Sequence, residues 1–117
     1  MYRLSLVINE IYNKYLPEAM KAGISFNLDF PDTTLRIKSP SRVKKSLDEH
    51  VGKAISRTAK SSDDKIKGEV KISVSKGGIE VRDTGTTLSP ATIALLSSDR
   101  VEIKSRVGFG TRILIKF

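Results

Sequence analysis

Cysteine and tryptophan are both missing from this chain of 117 residues, and histidine occurs once, at His50. Without thiols there is no disulfide framework and no thiolate metal site, and one imidazole cannot supply a paired-histidine or His-rich metal cluster. Aromatics are scarce, 4 Phe and 3 Tyr, so a core has to be built from Ile, Val and Leu. No apolar run approaches the ~20 residues that a membrane-spanning helix needs. The N-terminal stretch is amphipathic and carries Asn9, Glu10 and Asn13, which is not the composition of a signal peptide. These absences predict a soluble, cytoplasmic chain without membrane insertion, and the length predicts a single domain over residues 1–117.

Acidic residues are the scarcer charge, 13 against 21 basic, for a formal net charge of +8. Such a surplus draws anions, nucleotides or acidic partners toward the surface. The basic residues Arg42, Lys44, Lys45, Lys53, Arg57 and Lys60 are spread around one predicted helix rather than stacked in a stripe. A helix that reads a nucleic-acid groove is therefore disfavoured.

Hydrophobic spacing divides the chain into elements. Leu4, Ile8, Ile11 and Tyr15 recur at helical intervals, with Val7 and Leu16 widening the stripe. Pro17 predicts a helix end near Leu16, followed by a turn through Ala22 to Gly23. Ile24, Phe26, Leu28 and Phe30 alternate with polar residues as a half-buried strand. A turn at Pro31-Asp32 would make Leu35 and Ile37 its hairpin partner. Ser39-Pro40 reads as an N-cap with proline at the first helical position. Val43, Leu47, Val51, Ala54 and Thr58 then share one face of a central helix over about 40–60. Ser61 to Lys67 reads as a loop. Val70, Ile72 and Val74 form a strand, Gly77-Gly78 a tight turn, and Ile79 and Val81 the returning strand. A loop over 83–87 leads to a short helix from Ser89-Pro90 to about Leu96. Val101 and Ile103, a turn at Gly108 and Gly110, and Arg112 to Phe117 complete the order α-β-β-α-β-β-α-β-β. The expected architecture is α+β: a two-layer sandwich of a mixed, mostly antiparallel sheet with about three helices on one face.

Three segments in this order resemble the histidine-kinase-like ATPase family, which also includes gyrase B and the mismatch-repair ATPases. Glu49-His50-Val51-Gly52-Lys53-Ala54 resembles the helix that carries a metal-chelating asparagine before an alanine. Ile79-Glu80-Val81-Arg82-Asp83-Thr84-Gly85 resembles the strand and loop whose aspartate binds adenine. Ser105-Arg106-Val107-Gly108-Phe109-Gly110-Thr111 resembles the closing turn, S-x-x-G-x-G-T. The resemblance spans nearly the whole chain, and it rests on the joint order of the motifs rather than on any one of them.

The resemblance implies ATP and Mg²⁺ as cofactors and phosphoryl transfer to a histidine supplied elsewhere. It implies a two-component signalling setting, with a kinase dimerisation domain or a response regulator as partner. Asp83 and Gly85 would hold adenine, Lys53 and Thr111 would complete the nucleotide site, and Glu49 would activate water or orient the metal. Asp83 has the strand parity of Ile79 and Val81, so its side chain should point to the buried face. Each residue also has a plainer reading. Asp83 can end a strand in an Asx-turn with Gly85, and Glu49 and Lys53 can be solvated helix charges. His50 reads as a packed helix residue, not a phosphoacceptor. The chain departs from the family in three places. Lys53 stands where asparagine is expected, and an ammonium cannot chelate Mg²⁺. Thr87 replaces a glycine. Only Ser97-Ser98-Asp99-Arg100 bridges Leu96 to Val101, where the family has a lid around the phosphates. A pseudo-ATPase that holds a partner protein without nucleotide turnover is therefore the alternative to a kinase domain, with a basic nucleic-acid-binding domain a more distant third.

Overall fold

The computed structural model describes residues 2–29, 36–37, 40–61, 68–75, 77–85, 88–106 and 110–117. In chain order these form β1 (Tyr2–Arg3), α1 (Leu4–Lys21), β2 (Ser25–Asp29), β3 (Arg36–Ile37) and α2 (Pro40–Ser61). There follow β4 (Glu69–Ser75), β5 (Gly78–Asp83), α3 (Pro90–Leu96), β6 (Val101–Arg106) and β7 (Gly110–Lys116). Five strands make one sheet in the order β2-β4-β5-β7-β6. β2 runs parallel to β4, and every other pairing in it is antiparallel. The helices cover one face, so the expected two-layer α+β sandwich is the one found. The turns expected at Pro31-Asp32 and Gly108, the loop over 62–67, the Ser39 cap and Leu35 lie outside the described residues.

Register turns the strand patterns into a layered core. On the helix-facing side, Leu28, Ile72, Val81, Ile113 and Ile103 form one row across the sheet, and Val74, Ile79, Ile115 and Val101 form the next. The predicted stripe of α2, from Val43 through Leu47, Val51 and Ala54 to Thr58, is buried against them. Burying each such aliphatic side chain contributes about 1.5–3 kcal/mol, so these rows and that stripe dominate the stability. On α1, Leu4, Val7, Ile8 and Ile11 are buried. Tyr12 packs edge-on to Phe26, with ring centroids 4.7 Å apart, and donates its hydroxyl to the Phe26 carbonyl at 3.1 Å. Lys14 and Tyr15 both donate to Asp48 of α2, the lysine at 2.8 Å from Oδ2.

Three expectations are corrected. α1 runs on past Pro17 to Lys21. Proline removes one N–H, but Pro17 and Asn13, whose carbonyl loses its donor, lie on the exposed side of the helix, where water can replace it. What ends α1 is Gly23, in the left-handed region at φ 71°. Gly23 N–H returns to Met20 O at 3.2 Å and Ile24 N–H to Ala19 O at 2.9 Å. These are the two bonds of a Schellman cap, closed by buried Ala19 and Ile24. Second, β3 does not pair with β2 as a hairpin. It pairs antiparallel with β1, while β2 takes a parallel place beside β4. Third, Gly78 lies inside β5, opposite Ser75, rather than in the connecting turn. A side chain at Gly78 would strike the Ile115 carbonyl of β7, a reason for glycine that strand alternation does not reveal.

Candidate functional site

One row on the helix-facing side differs from the others. Across β2, β4, β5, β7 and β6 it reads Phe26, Val70, Asp83, Thr111, Ser105. Three of its five members are polar, at a depth where the neighbouring rows are aliphatic. Asp83 is 3% exposed and Thr111 2%, as the strand parity of Asp83 requires. In the sequence Ser105 opens the turn motif. Its parity with Ile103 and its register with Thr111 make it a member of this row. Its hydroxyl lies 2.9 Å from Thr111 Oγ1 and accepts Leu88 N–H at 2.9 Å, which ties the entry to α3 onto the sheet.

The carboxylate of Asp83 has a donor on each oxygen. Arg57 Nη2 donates to Oδ2 at 2.8 Å, and Gly85 N–H donates to Oδ1 at 2.9 Å. The Asp83 side chain is 0% exposed and that of Arg57 13%, so this is a buried ion pair between β5 and α2. The second bond is the Asx-turn that Asp83 and Gly85 can form on their own. In the sequence Arg57 is one of the dispersed charges of the central helix. One turn beyond Lys53 on α2, its reach over the sheet end depends on tertiary packing. A side chain at Gly85 would lie 2.9 Å from the backbone of Arg57 and Thr58. The close approach that Gly85 permits is therefore to α2. Gly110 is needed twice over: its φ is 79°, and a Cβ there would collide with the Asp83 carbonyl.

Glu49 and Lys53 stand apart from this row. They face each other one helical turn apart at 3.0 Å, with side chains 51% and 43% exposed, an ordinary surface pair. Lys53 lowers the pKa of Glu49 by hydrogen bonding and charge. His50 is 4% exposed, its Nδ1 has no hydrogen-bond partner among the described residues, and burial lowers its pKa. It is packed, as the helix pattern implied.

These residues do not fit Mg²⁺ as arranged. Lys53 offers an ammonium where a metal needs a lone pair, and no three metal-ligating side chains cluster among the described residues. Each carboxylate oxygen of Asp83 has one donor from the chain itself. Between α3 and β6, Ser98 and Val101 exchange backbone hydrogen bonds at 3.0 and 3.2 Å, closing a turn at Asp99-Arg100. α3 begins at Ser89, whose hydroxyl accepts Thr92 N–H at 3.2 Å, with Pro90 next. The four-residue bridge is thus a closed turn. An open depression of about 640 Å³ wraps the β6–β7 end of the sheet, with Ser105, Thr111 and Arg106 in its walls; Asp83 is not among them. No helix of the described residues is long and apolar enough to cross a membrane.

No family model and no curated protein matches the sequence. Solved structures do match in three dimensions. The catalytic domain of histidine kinase ThkA, in a nucleotide-free form, superposes with a TM-score of 0.74 at 17% identity, covering 98% of this chain and 93% of its own. The cytoplasmic segment of histidine kinase QseC gives 0.73 at 15% identity, covering 99% of this chain and 75% of its own. ThkA in complex with response regulator protein TrrA gives 0.71 at 18% identity, covering 99% of this chain and 41% of its own. With the sheet order, the helix layer and these superpositions together, the chain has the fold of the histidine-kinase catalytic, ATP-binding domain.

Proposed function

We propose that this chain is a nucleotide-independent interaction module built on the histidine-kinase catalytic fold, which holds a signalling partner rather than transferring phosphate itself. The observation that carries this reading is the buried Arg57–Asp83 pair. The carboxylate that would accept adenine is held by a guanidinium from the chain's own helix and by the Gly85 amide. Freeing it would leave a buried charge short of a partner, which is costly. Lys53 in place of a metal ligand and the closed Ser98–Val101 turn act in the same direction. The partner class follows from the fold: a kinase dimerisation domain or a response regulator, the latter being what ThkA is bound to in its complex with TrrA. A cytoplasmic setting is part of the proposal.

A nucleotide titration tests it. The amide signals of Lys53, Asp83 and Gly85 should stay in place with ATP and Mg²⁺ up to about millimolar, a range in which a weak nucleotide site would already be filling. Saturable movement of those three signals would replace this reading with that of an ATP-binding kinase domain, in which Thr111 and Gly110 flank the base and Glu49 serves the chemistry.

A further inference from the structure

The solvent-facing side of the sheet carries a pattern that core packing does not call for. Lys71 of β4 stands opposite Arg82 of β5, Arg82 opposite Arg112 of β7, and Arg112 opposite Lys104 of β6. Four cations therefore form one unbroken row across four neighbouring strands. Like charges set directly opposite each other in a sheet repel. The available carboxylates do not cover the row. Glu80 is shared by Arg112 at 3.1 Å and Arg82 at 3.6 Å, and Asp29 lies 3.9 Å from Lys71. Lys104, with Arg106 beside it on β6, has no carboxylate partner among the described residues, and both are exposed.

The next row on the same face has the opposite character: Ser73, Glu80, Leu114 and Glu102. A line of positive charge thus runs beside a line holding two carboxylates and a half-buried leucine. A partner with uniform negative charge, such as duplex DNA or an anionic bilayer, would cover both rows and meet Glu80 and Glu102 as well. A partner whose charge is itself a line would not. Among the described residues the face also carries no aromatic platform of the kind on which nucleic-acid bases stack.

Spacing narrows the partner further. Strands lie about 4.8 Å apart, so four cations in a row span about 14 Å. An α-helix presents one residue per turn on a given face, every ~5.4 Å, so four carboxylates at i, i+4, i+7 and i+11 span about 16 Å. An extended strand presents same-face residues every ~6.7 Å and falls out of step within two of them. We propose that this row is a docking surface for an acidic amphipathic helix of a partner protein. The helix lies across the strands with one carboxylate line on Lys71, Arg82, Arg112 and Lys104, and with apolar side chains toward Leu114. Glu80 and Glu102 repel a helix set down one row away, which fixes its placement. The inference deepens the interaction-module reading by naming the surface and the chemistry of the partner.

The test uses the full chain and two synthetic helical peptides of identical composition. One carries its glutamates in a single line; the other distributes them around the helix. The lined peptide should move the amide signals of Lys71, Arg82, Lys104 and Arg112 saturably and bind roughly tenfold tighter than the distributed one, with affinity falling as salt rises. Arg112→Gln combined with Lys104→Gln should weaken the lined peptide by about tenfold, since rim and surface charges act through such increments. The amide spectrum of that variant should otherwise match the parent, showing that the fold is kept. Equal affinity for the two peptides overturns the proposal, as does movement of signals elsewhere. Tighter binding of duplex DNA or of phosphatidylserine vesicles also overturns it, in favour of a generic polyanion surface. None of these outcomes touches the ATP titration, so a failure here and a failure of the interaction-module reading remain separate.

Discussion

Replacing Arg57 with alanine isolates the feature on which the site reading turns. Asp83 has a fully buried side chain with two donors, Arg57 Nη2 at 2.8 Å and Gly85 N–H at 2.9 Å. Arg57→Ala removes the only cationic one and leaves a carboxylate with a single amide donor. Breaking a buried pair from one side costs about 3–5 kcal/mol. The 13% exposure of Arg57 marks a path by which water can reach the vacated space, so the lower end, about 3 kcal/mol, is expected. For a domain of this size that lowers the melting temperature by roughly 10–15 °C. Urea unfolding with an unchanged m-value reads the loss directly. The partner change, Asp83→Asn, removes the charge that needs the guanidinium. Arg57→Ala should therefore cost much less in the Asp83→Asn background, giving a coupling of about 2 kcal/mol in the double-mutant cycle. If Arg57→Ala costs under about 1 kcal/mol, or the two changes add to within about 0.5 kcal/mol, the pair is not the lock described here.

Other outcomes follow from the same geometry. Gly110→Ala forces a side chain into the left-handed region and against the Asp83 carbonyl, and should cost about 2 kcal/mol or more by urea unfolding. Leu47, 0% exposed, should cost about 2–5 kcal/mol as Leu47→Ala. Glu49→Gln removes only a surface pair and should change stability by no more than about 0.5 kcal/mol; a larger loss would mean that Glu49 has contacts beyond Lys53. His50 has a pKa lowered from the ordinary 6.5, chiefly by burial. Below that value the unfolded chain binds a proton that the folded chain resists, so the contribution is full above about pH 6.5 and lost as pH falls through the folded pKa. Unfolding free energy should therefore rise as pH climbs toward about 6.5, and His50→Leu should flatten that rise. An unchanged slope in the variant would assign the pH dependence to other groups.

Much of the fold was legible from residue spacing, because burial imposes periods of about 3.6 and 2 on any helix or strand that lines one core. That periodicity placed Val43 to Thr58 on one face of α2 and aimed Asp83 inward. It could not say which strands are neighbours. β2 lies parallel to β4, and β3 leaves it for β1, because sheet order follows from packing a whole helix layer and not from turn residues alone. Pro17 misled for a related reason: a lost N–H matters little on a solvated side, and the buried Ala19–Ile24 contact decides where α1 ends. The site divides in the same way. Asp83 and Thr111 could be named from the resemblance, and register sets them opposite each other. Arg57 could not, since its partner lies 26 positions away. The row from Lys71 to Lys104 could not either, since its members come from four strands. Local chemistry determined which groups face inward and which bear charge. Tertiary structure alone decided which of them meet, and so which charges are neutralised inside the chain and which are left for a partner.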